Sequence, residues 1–333
     1  MLEIKGSTKI CIRVLLFLYG LLLVVGNTTA TTLTVSNNGG ADYISIQKAI
    51  DSSSAGDTIL VYPGTYTENI YIGKGLTIRS VSRTPEYTII EASSPKDNVF
   101  NVTADSVTIS GFTITGSTVF PYAGIFFYGC HNSTAIGNKF LKNGVGIILN
   151  SASRNEVLNN VANSNREGIY LINSTDNIVE NNTVNSNEFD GITLLYCSGN
   201  EVLNNIANSN GFGGISFINS TDNIVENNIV NSNEFDGTTL NNCSRNKILN
   251  NIANSNGAIG ISLINSTDNI VENSTSNSNK GYGVYLKNCS KIIVKNNIII
   301  QNEIEGIFLN ESNSNSLFNN TVNSHSDPPF IFP

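Results

Sequence analysis

The sequence predicts an all-β fold: a single-stranded parallel β-helix of about twelve coils of 22–23 residues, with a short N-terminal capping helix. Three patterns point there. Gly124, Gly146, Gly168, Gly191, Gly214, Gly237, Gly260, Gly283 and Gly306 recur at spacings of 22, 22 and then 23 residues six times. Each opens a short strand with apolar residues one and three places on, as in Gly168-Ile169-Tyr170-Leu171. Asparagine returns fourteen and nineteen places after the glycine, as in Asn160, Asn182, Asn205 and Asn165, Asn187, Asn210.

Alternation over three to five residues, broken by Asn, Gly and Ser, means short strands between turns. One such coil cannot bury its own inner face, but stacked coils can, each resting on the next at about 4.8 Å. The recurring asparagines are expected at corners. Asn tolerates the left-handed backbone that a sharp corner needs, and its amide can bond to its counterpart one coil away. The place six residues after the glycine stays small: Cys130, Ala152, Ser174, Cys197, Ser220, Cys243, Ser266, Cys289. Cysteines there lie two or three coils apart, about 10–14 Å. A disulfide needs Cα atoms within about 7 Å, so free buried thiols are expected.

A 46-residue period overlies the shorter one, and the stretch 173–181 returns nearly unchanged at 219–227 and 265–273. It makes charges alternate along the stack, with Arg245 between Asp222 and Asp268 and Lys291 next. Uniform coils would stack like charges, which is unfavourable.

Residues 1–30 have a basic start, an apolar run from Val14 to Val25 and a small-residue exit ending at Ala30, the pattern of a secretory signal peptide. Residues 31–123 are expected to hold the cap and the first coils, 124–326 the regular repeats, and 327–333 a Pro-rich tail folded under the last coil. Ser45 is placed to cap a helix carrying Ile46, Ala49 and Ile50 on one face, which would cover the open first coil.

The opening segment also carries Gly56-Asp57-Thr58-Ile59-Leu60-Val61-Tyr62-Pro63-Gly64-Thr65-Tyr66, then Glu68-Asn69-Ile70. With Val107-Thr108-Ile109-Ser110-Gly111-Phe112-Thr113-Ile114, it resembles right-handed parallel β-helix proteins of the pectate-lyase-like class. It is similar above all to NosD-type and carbohydrate-binding/sugar-hydrolase domains of prokaryotic surfaces. The resemblance implies a right-handed helix over about residues 33–325 and leaves function open, because the fold carries lyases, hydrolases, epimerases and non-catalytic surface proteins.

Composition narrows the function. The 333 residues carry a net charge of −8, and only 13% are charged. There are 54 Asn, one Met, two His and no Trp. An acidic chain without clustered Lys and Arg is not expected to bind nucleic acid. The enzymes of this fold are implied to use clustered Asp, a Gly-His-Gly, an Asp-Pro-His-Asp-like element or acidic calcium ligands. His131 and His325 stand in no such setting, and Asp327-Pro328-Pro329-Phe330 lacks the His. Asp176, Asp222 and Asp268 fall two coils apart, about 10 Å, too far to share an ion, so calcium has no support and no cofactor is expected. A copper role is implied by the NosD resemblance but is remote, since Met is missing after residue 1 and the Cys are expected to be buried.

Two surface features remain. Phe189, Phe212 and Phe235 sit two places before successive glycines, beside Glu188, Asp190, Glu234 and Asp236. Aromatic rings beside carboxylates can grip sugars, while the preferred alternative is a ring stack roofing the core. The Gly-led strands should also turn a row outward that includes Phe126, Tyr128, Tyr170, Ile172 and Tyr285, either a ligand face or plain β-propensity. Sequons at Asn101, Asn132, Asn173, Asn219, Asn265 and Asn310 are glycosylation candidates.

The expected protein is secreted or held at the cell surface, touching membrane only through its N-terminal segment. Its expected partner is a polysaccharide or a surface glycan or protein, and missing acid–base groups favour a non-catalytic role. A lyase or hydrolase with an unrecognised site is the alternative.

Overall fold

A computed structural model describes residues 30–323. The signal-peptide expectation for 1–30 and the Pro-rich tail 327–333 lie, but for Ala30, outside the described residues. Residues 32–323 form one compact unit.

Thirteen strands, from Thr32–Val35 to Ser316–Phe318, form one parallel sheet, one strand from each successive coil. A second parallel sheet has eleven strands, from Ile70–Ile72 to Ile307–Asn310. A third has five, from Gly64–Thr67 to Val161–Ala162, and continues as single bridges such as Thr183↔Ile206 and Ile206↔Ile229. The chain is thus a right-handed parallel β-solenoid of about thirteen turns, close to the twelve expected.

Register follows the period. Ile169 pairs with Ile192, and Val179 with Val202. Inward residues meet in apolar columns, and Ile169, Leu171, Val179 and Val184 are buried together. The phase glycine stands where coils crowd. A Cβ on Gly191 would come 2.7 Å from the Gly214 carbonyl oxygen and 2.8 Å from Asn210 Nδ2. The helix Ile46–Ser52 packs on the first strands as expected, and its Ser45 cap accepts from the Lys48 N–H. Ile46, Ala49 and Ile50 are its buried face. Glu68 supports its start, accepting from the Ile46 and Gln47 N–H groups at 2.9 Å.

The asparagine columns run inside the corners, buried, and bond coil to coil. The Asn182 amide donates to Asn205 Oδ1, and the Asn187 amide to Asn210 Oδ1, both at 3.0 Å. Their expected left-handed backbone is not there. Positive φ belongs to the residue just before each post, as in Asn181 (56°) and Ser186 (55°). The left-handed residue turns the chain, and the turn directs the next side chain inward. The same device operates twice more per coil. Asp176 (56°) precedes Asn177, and Asn173 (50°) precedes Ser174. Asn177 belongs to a third buried ladder that runs Asn155, Asn177, Asn200, Asn223, Asn246, Asn269.

Cys130, Cys197, Cys243 and Cys289 are free and buried, as expected. Between them, the Ser of alternate coils accepts from the Cys backbone, as Ser220 Oγ does from Cys197 N at 3.0 Å.

The 46-residue period also patterns the outer face of the thirteen-stranded sheet. Leu203 lies between Glu180 and Glu226, and Ile224 between Glu201 and Lys247. Each of these four charges has an apolar neighbour above and below, so like charges are kept two coils apart, whereas Glu272 meets the opposite charge of Lys295 on the next coil, at 3.0 Å.

Candidate functional site

The phase glycine fixes which side chains leave the eleven-stranded sheet. Residues one and three places after it point inward and are buried, as Ile169 and Leu171 are. Residues two and four places after it point outward. The first outward column runs Phe126, Ile148, Tyr170, Thr193, Ser216, Thr239, Ser262, Tyr285, Phe308. It is aromatic towards both ends and small and hydroxylated in the middle. Tyr128, in the second column, is 52% exposed.

Two pockets open on this face. One, of about 320 Å³, is lined by Asn98, Pro121, Tyr122, Phe126, Ile148, Asn150, Tyr170 and Ile172. The other, of about 240 Å³, is lined by Asp190, Phe212, Gly213, Ser216, Ile218, Phe235, Asp236, Thr239 and Asn241. The structure thus brings Phe212, Phe235, Asp190 and Asp236 together and puts Tyr170 on the same face. Phe212 and Phe235 do not roof the core. Their rings stand 4.7 Å apart at the surface and are about half exposed. Phe189 leaves this pair and stacks on Arg166, whose guanidinium lies 4.9 Å from both the Phe189 and Phe120 rings. Glu188 and Glu234 line a separate corner hollow with Lys142 and Arg166. Tyr285 lies in a layered cluster, 5.2 Å from Tyr282 and 5.9 Å from Phe308.

A carboxylate edge borders the face, one residue before the phase glycine. Asp190 accepts from Gly213 N at 2.7 Å, and Asp236 from Ile259 N at 3.0 Å. Burial raises both carboxyls above the usual range despite those bonds. Glu167 occupies the equivalent place one coil before Asp190. Burial, and then the Asp190 charge, push its carboxyl up to about 8. Burial also raises the Tyr170 phenol, with Glu167 adding to it. Glu167 is a site residue that sequence reasoning missed. Its column reads Val145, Glu167, Asp190, Gly213, Asp236, Ile259, Tyr282, Glu305 and has no period. Only counting one place back from each glycine finds it.

Of the sequon asparagines, Asn132, Asn173 and Asn265 are exposed, and Asn219 and Asn310 are half-buried. Asn101 is half-buried in the strand Phe100–Val102, with its Oδ1 buried and unpaired.

Residues 50–235 match the family described as periplasmic copper-binding protein (NosD). The chain belongs to the NosD family. Residues 196–330 match the right-handed β-helix region. A cell surface glycoprotein of Methanothermus fervidus is 40% identical over 81 residues, 24% of this chain. The matched stretch is 13% of that protein's length. The Dettilon tailspike protein superposes with a TM-score of 0.68 at 17% identity, covering 84% of this chain and 64% of the other. The mannuronan C-5 epimerase AlgE6 A-module of Azotobacter vinelandii gives 0.61 at 14% identity, covering 85% and 95%. The catalytic domain of a GH87 alpha-1,3-glucanase, in complex with nigerose, gives 0.62 at 16%, covering 87% and 66%. These likenesses show the fold.

The donors among the described residues do not fit the family's copper. Among the described residues no group of three His, Cys, Asp or Glu is placed to hold a metal ion. Burial pushes the Cys130, Cys197 and Cys243 thiols up to about 11, away from the thiolate a metal needs. His131 Nδ1 is engaged by Ser153 Oγ at 2.7 Å.

Proposed function

We propose that this NosD-family chain is a surface β-helix protein that holds a polysaccharide lengthwise along the outward face of its eleven-stranded sheet and does not transform it. The observation that carries this reading is the composition of that face. Aromatic side chains stand towards its two ends, at Phe126, Tyr128 and Tyr170 and at Tyr282, Tyr285 and Phe308. Hydroxyls and carboxyls lie between them, at Thr193, Ser216, Thr239, Asp190 and Asp236. Rings present apolar faces to the C–H surface of a pyranose, and the polar groups between them meet its hydroxyls. The surface glycoprotein relative supports the location, and the mannuronan-epimerase and glucanase neighbours support a polysaccharide as ligand. The proposed chemistry does not involve copper.

A second reading, a carbohydrate-active enzyme, is favoured by one observation. Glu167, pushed up to about 8, stands next to Asp190, and a protonated carboxyl beside a second one is the arrangement of a general acid with its partner. A polysaccharide panel scored for both binding and product release separates the two. Binding without products, weakened at least tenfold by Tyr170→Ala, supports the holding role. Turnover that survives purification and disappears in Glu167→Gln replaces it with the enzyme.

A further inference from the structure

Resting on that reading of the face, we infer that the polysaccharide it holds is uncharged and hydroxyl-rich, and that a polyuronate is rejected. Three features of the face converge on this class.

The first is charge. Asp190, Asp236 and Glu305 occupy the same phase, one residue before Gly191, Gly237 and Gly306. They line one edge of the face over five coil steps, about 24 Å. In that edge column and the two outward columns from the coil of Gly124 to that of Gly306, the only basic residue is Lys287. The nearby Arg166 is already held between Phe120 and Phe189. A polymer with a carboxylate on every sugar would lay its charges along this edge with almost nothing to neutralise them.

The second is a pair of unmet acceptors. Among the described residues, four buried side-chain atoms lack a partner: Asn101 Oδ1 and Glu305 Oε2, which accept, and the Thr238 and Ser262 hydroxyls, which can donate as well as accept. Asn101 lies in the first outward column, in register with Phe126, and Glu305 lies on the carboxylate edge. Both need an O–H or N–H group. A sugar hydroxyl supplies one, whereas a uronate carboxylate adds another acceptor.

The third is the ring arrangement beside Glu305. Tyr282 and Phe308 are 5.0 Å apart and nearly parallel, at 11°. Tyr285 joins them at 6° to Phe308, and Asn310 Nδ2 donates to its hydroxyl at 3.4 Å. The result is an apolar slab next to an unpaired acceptor, suited to the C–H face and the hydroxyl edge of one neutral pyranose.

The test is affinity electrophoresis and calorimetry of the purified chain against soluble neutral glycans (β-glucan, mannan, xylan) and against alginate and polygalacturonate, at low and high salt. The expected result is binding to at least one neutral glycan, little changed by salt, with polyuronate binding at least tenfold weaker at low salt. The variant Asp190→Asn/Asp236→Asn/Glu305→Gln should gain polyuronate affinity at low salt, its fold being checked by its melting curve. Wild-type binding to a polyuronate as tight as to any neutral glycan overturns this inference and leaves the holding role standing. Failure to bind every glycan in the panel removes both.

Discussion

Asn182 and Asn205 occupy the same corner of adjacent coils, and Asn205 Oδ1 accepts both the backbone and the side-chain amide of Asn182, at 2.9 and 3.0 Å. Asn205 in turn donates to the Val179 carbonyl at 2.8 Å and to Asn228 Oδ1 at 3.0 Å. All four bonds are made by a side chain with no exposed surface. Asn205→Ala leaves several buried partners unpaired, each costing about 1–3 kcal/mol. Asn204, just before it, carries the left-handed backbone (φ 55°) and is exposed. Asn204→Ala should cost only about 1–2 kcal/mol, from backbone strain, and Asn204→Gly less. Thermal melts should rank the losses in that order. Equal losses at 204 and 205 would show that the amide ladder does not stabilise the corner.

Arg245 spans two coils to hold Asp222, with Nε on Oδ1 and Nη2 on Oδ2, both at 2.8 Å. Asp268 lies on the coil to its other side. Arg245→Ala removes one exposed pair and should lower the melting temperature little. Arg245→Asp stacks three carboxylates on successive coils and should lower it more, with the gap closing in high salt. The same drop for both variants would remove the proposed role of charge alternation in ordering the coils.

Much of this architecture is legible in the sequence because stacked coils repeat it. The glycine phase, the columns of Asn182 and Asn187, the small column of Cys197 and the capping helix at Ser45 all follow from counting. The ladder through Asn177 is equally periodic, one place after the charged column of Asp176 and three after the small column of Ser174. The left-handed backbone falls one residue before the asparagine column. Composition says that a corner has an Asn, and only geometry says that Asn181 turns the chain while Asn182 is buried. The site is less legible for a physical reason. Ladder residues must match their neighbours one coil away, but outward residues need not, so Glu167 and Glu305 carry no periodic signal. Phe189, Phe212 and Phe235 look alike in sequence, but Arg166 draws only Phe189 aside.

The thiols should be inert until the solenoid opens. Cys197 and Cys243 are buried, and their pKa values of about 11 leave almost no thiolate near neutral pH. Cys243 Sγ also donates to the Asn241 carbonyl at 3.3 Å. A thiol reagent at pH 7.5 should leave Cys130, Cys197, Cys243 and Cys289 unmodified in the native chain and modify all four in denaturant, as read by mass spectrometry. Rapid native labelling of Cys197 or Cys243 would contradict the buried column and reopen the metal question.

Glu167 makes stability depend on pH in a direction opposite to that of a salt-bridged carboxylate. Its folded pKa, about 8, lies above its ordinary value of 4.5, so the folded chain keeps a proton that the unfolded chain has already released. Below about pH 4.5 both states hold the proton and the group costs nothing. As pH rises towards 8 the unfolded state gains from ionisation and the folded state does not, so stability falls, by at most about 1.4 kcal/mol per pH unit. Above 8 the folded chain carries a half-buried anion beside Asp190, and the loss is complete. Melting temperatures between pH 5 and 9 should therefore decline more steeply for the wild type than for Glu167→Gln, which keeps the shape and removes the titration. Asp190→Asn should move the Glu167 midpoint downward by removing the neighbouring charge, detectable by carboxyl titration in NMR. Parallel pH profiles for wild type and Glu167→Gln would mean that the Glu167 carboxyl is solvated and ionised in the fold, and the general-acid reading would go with it.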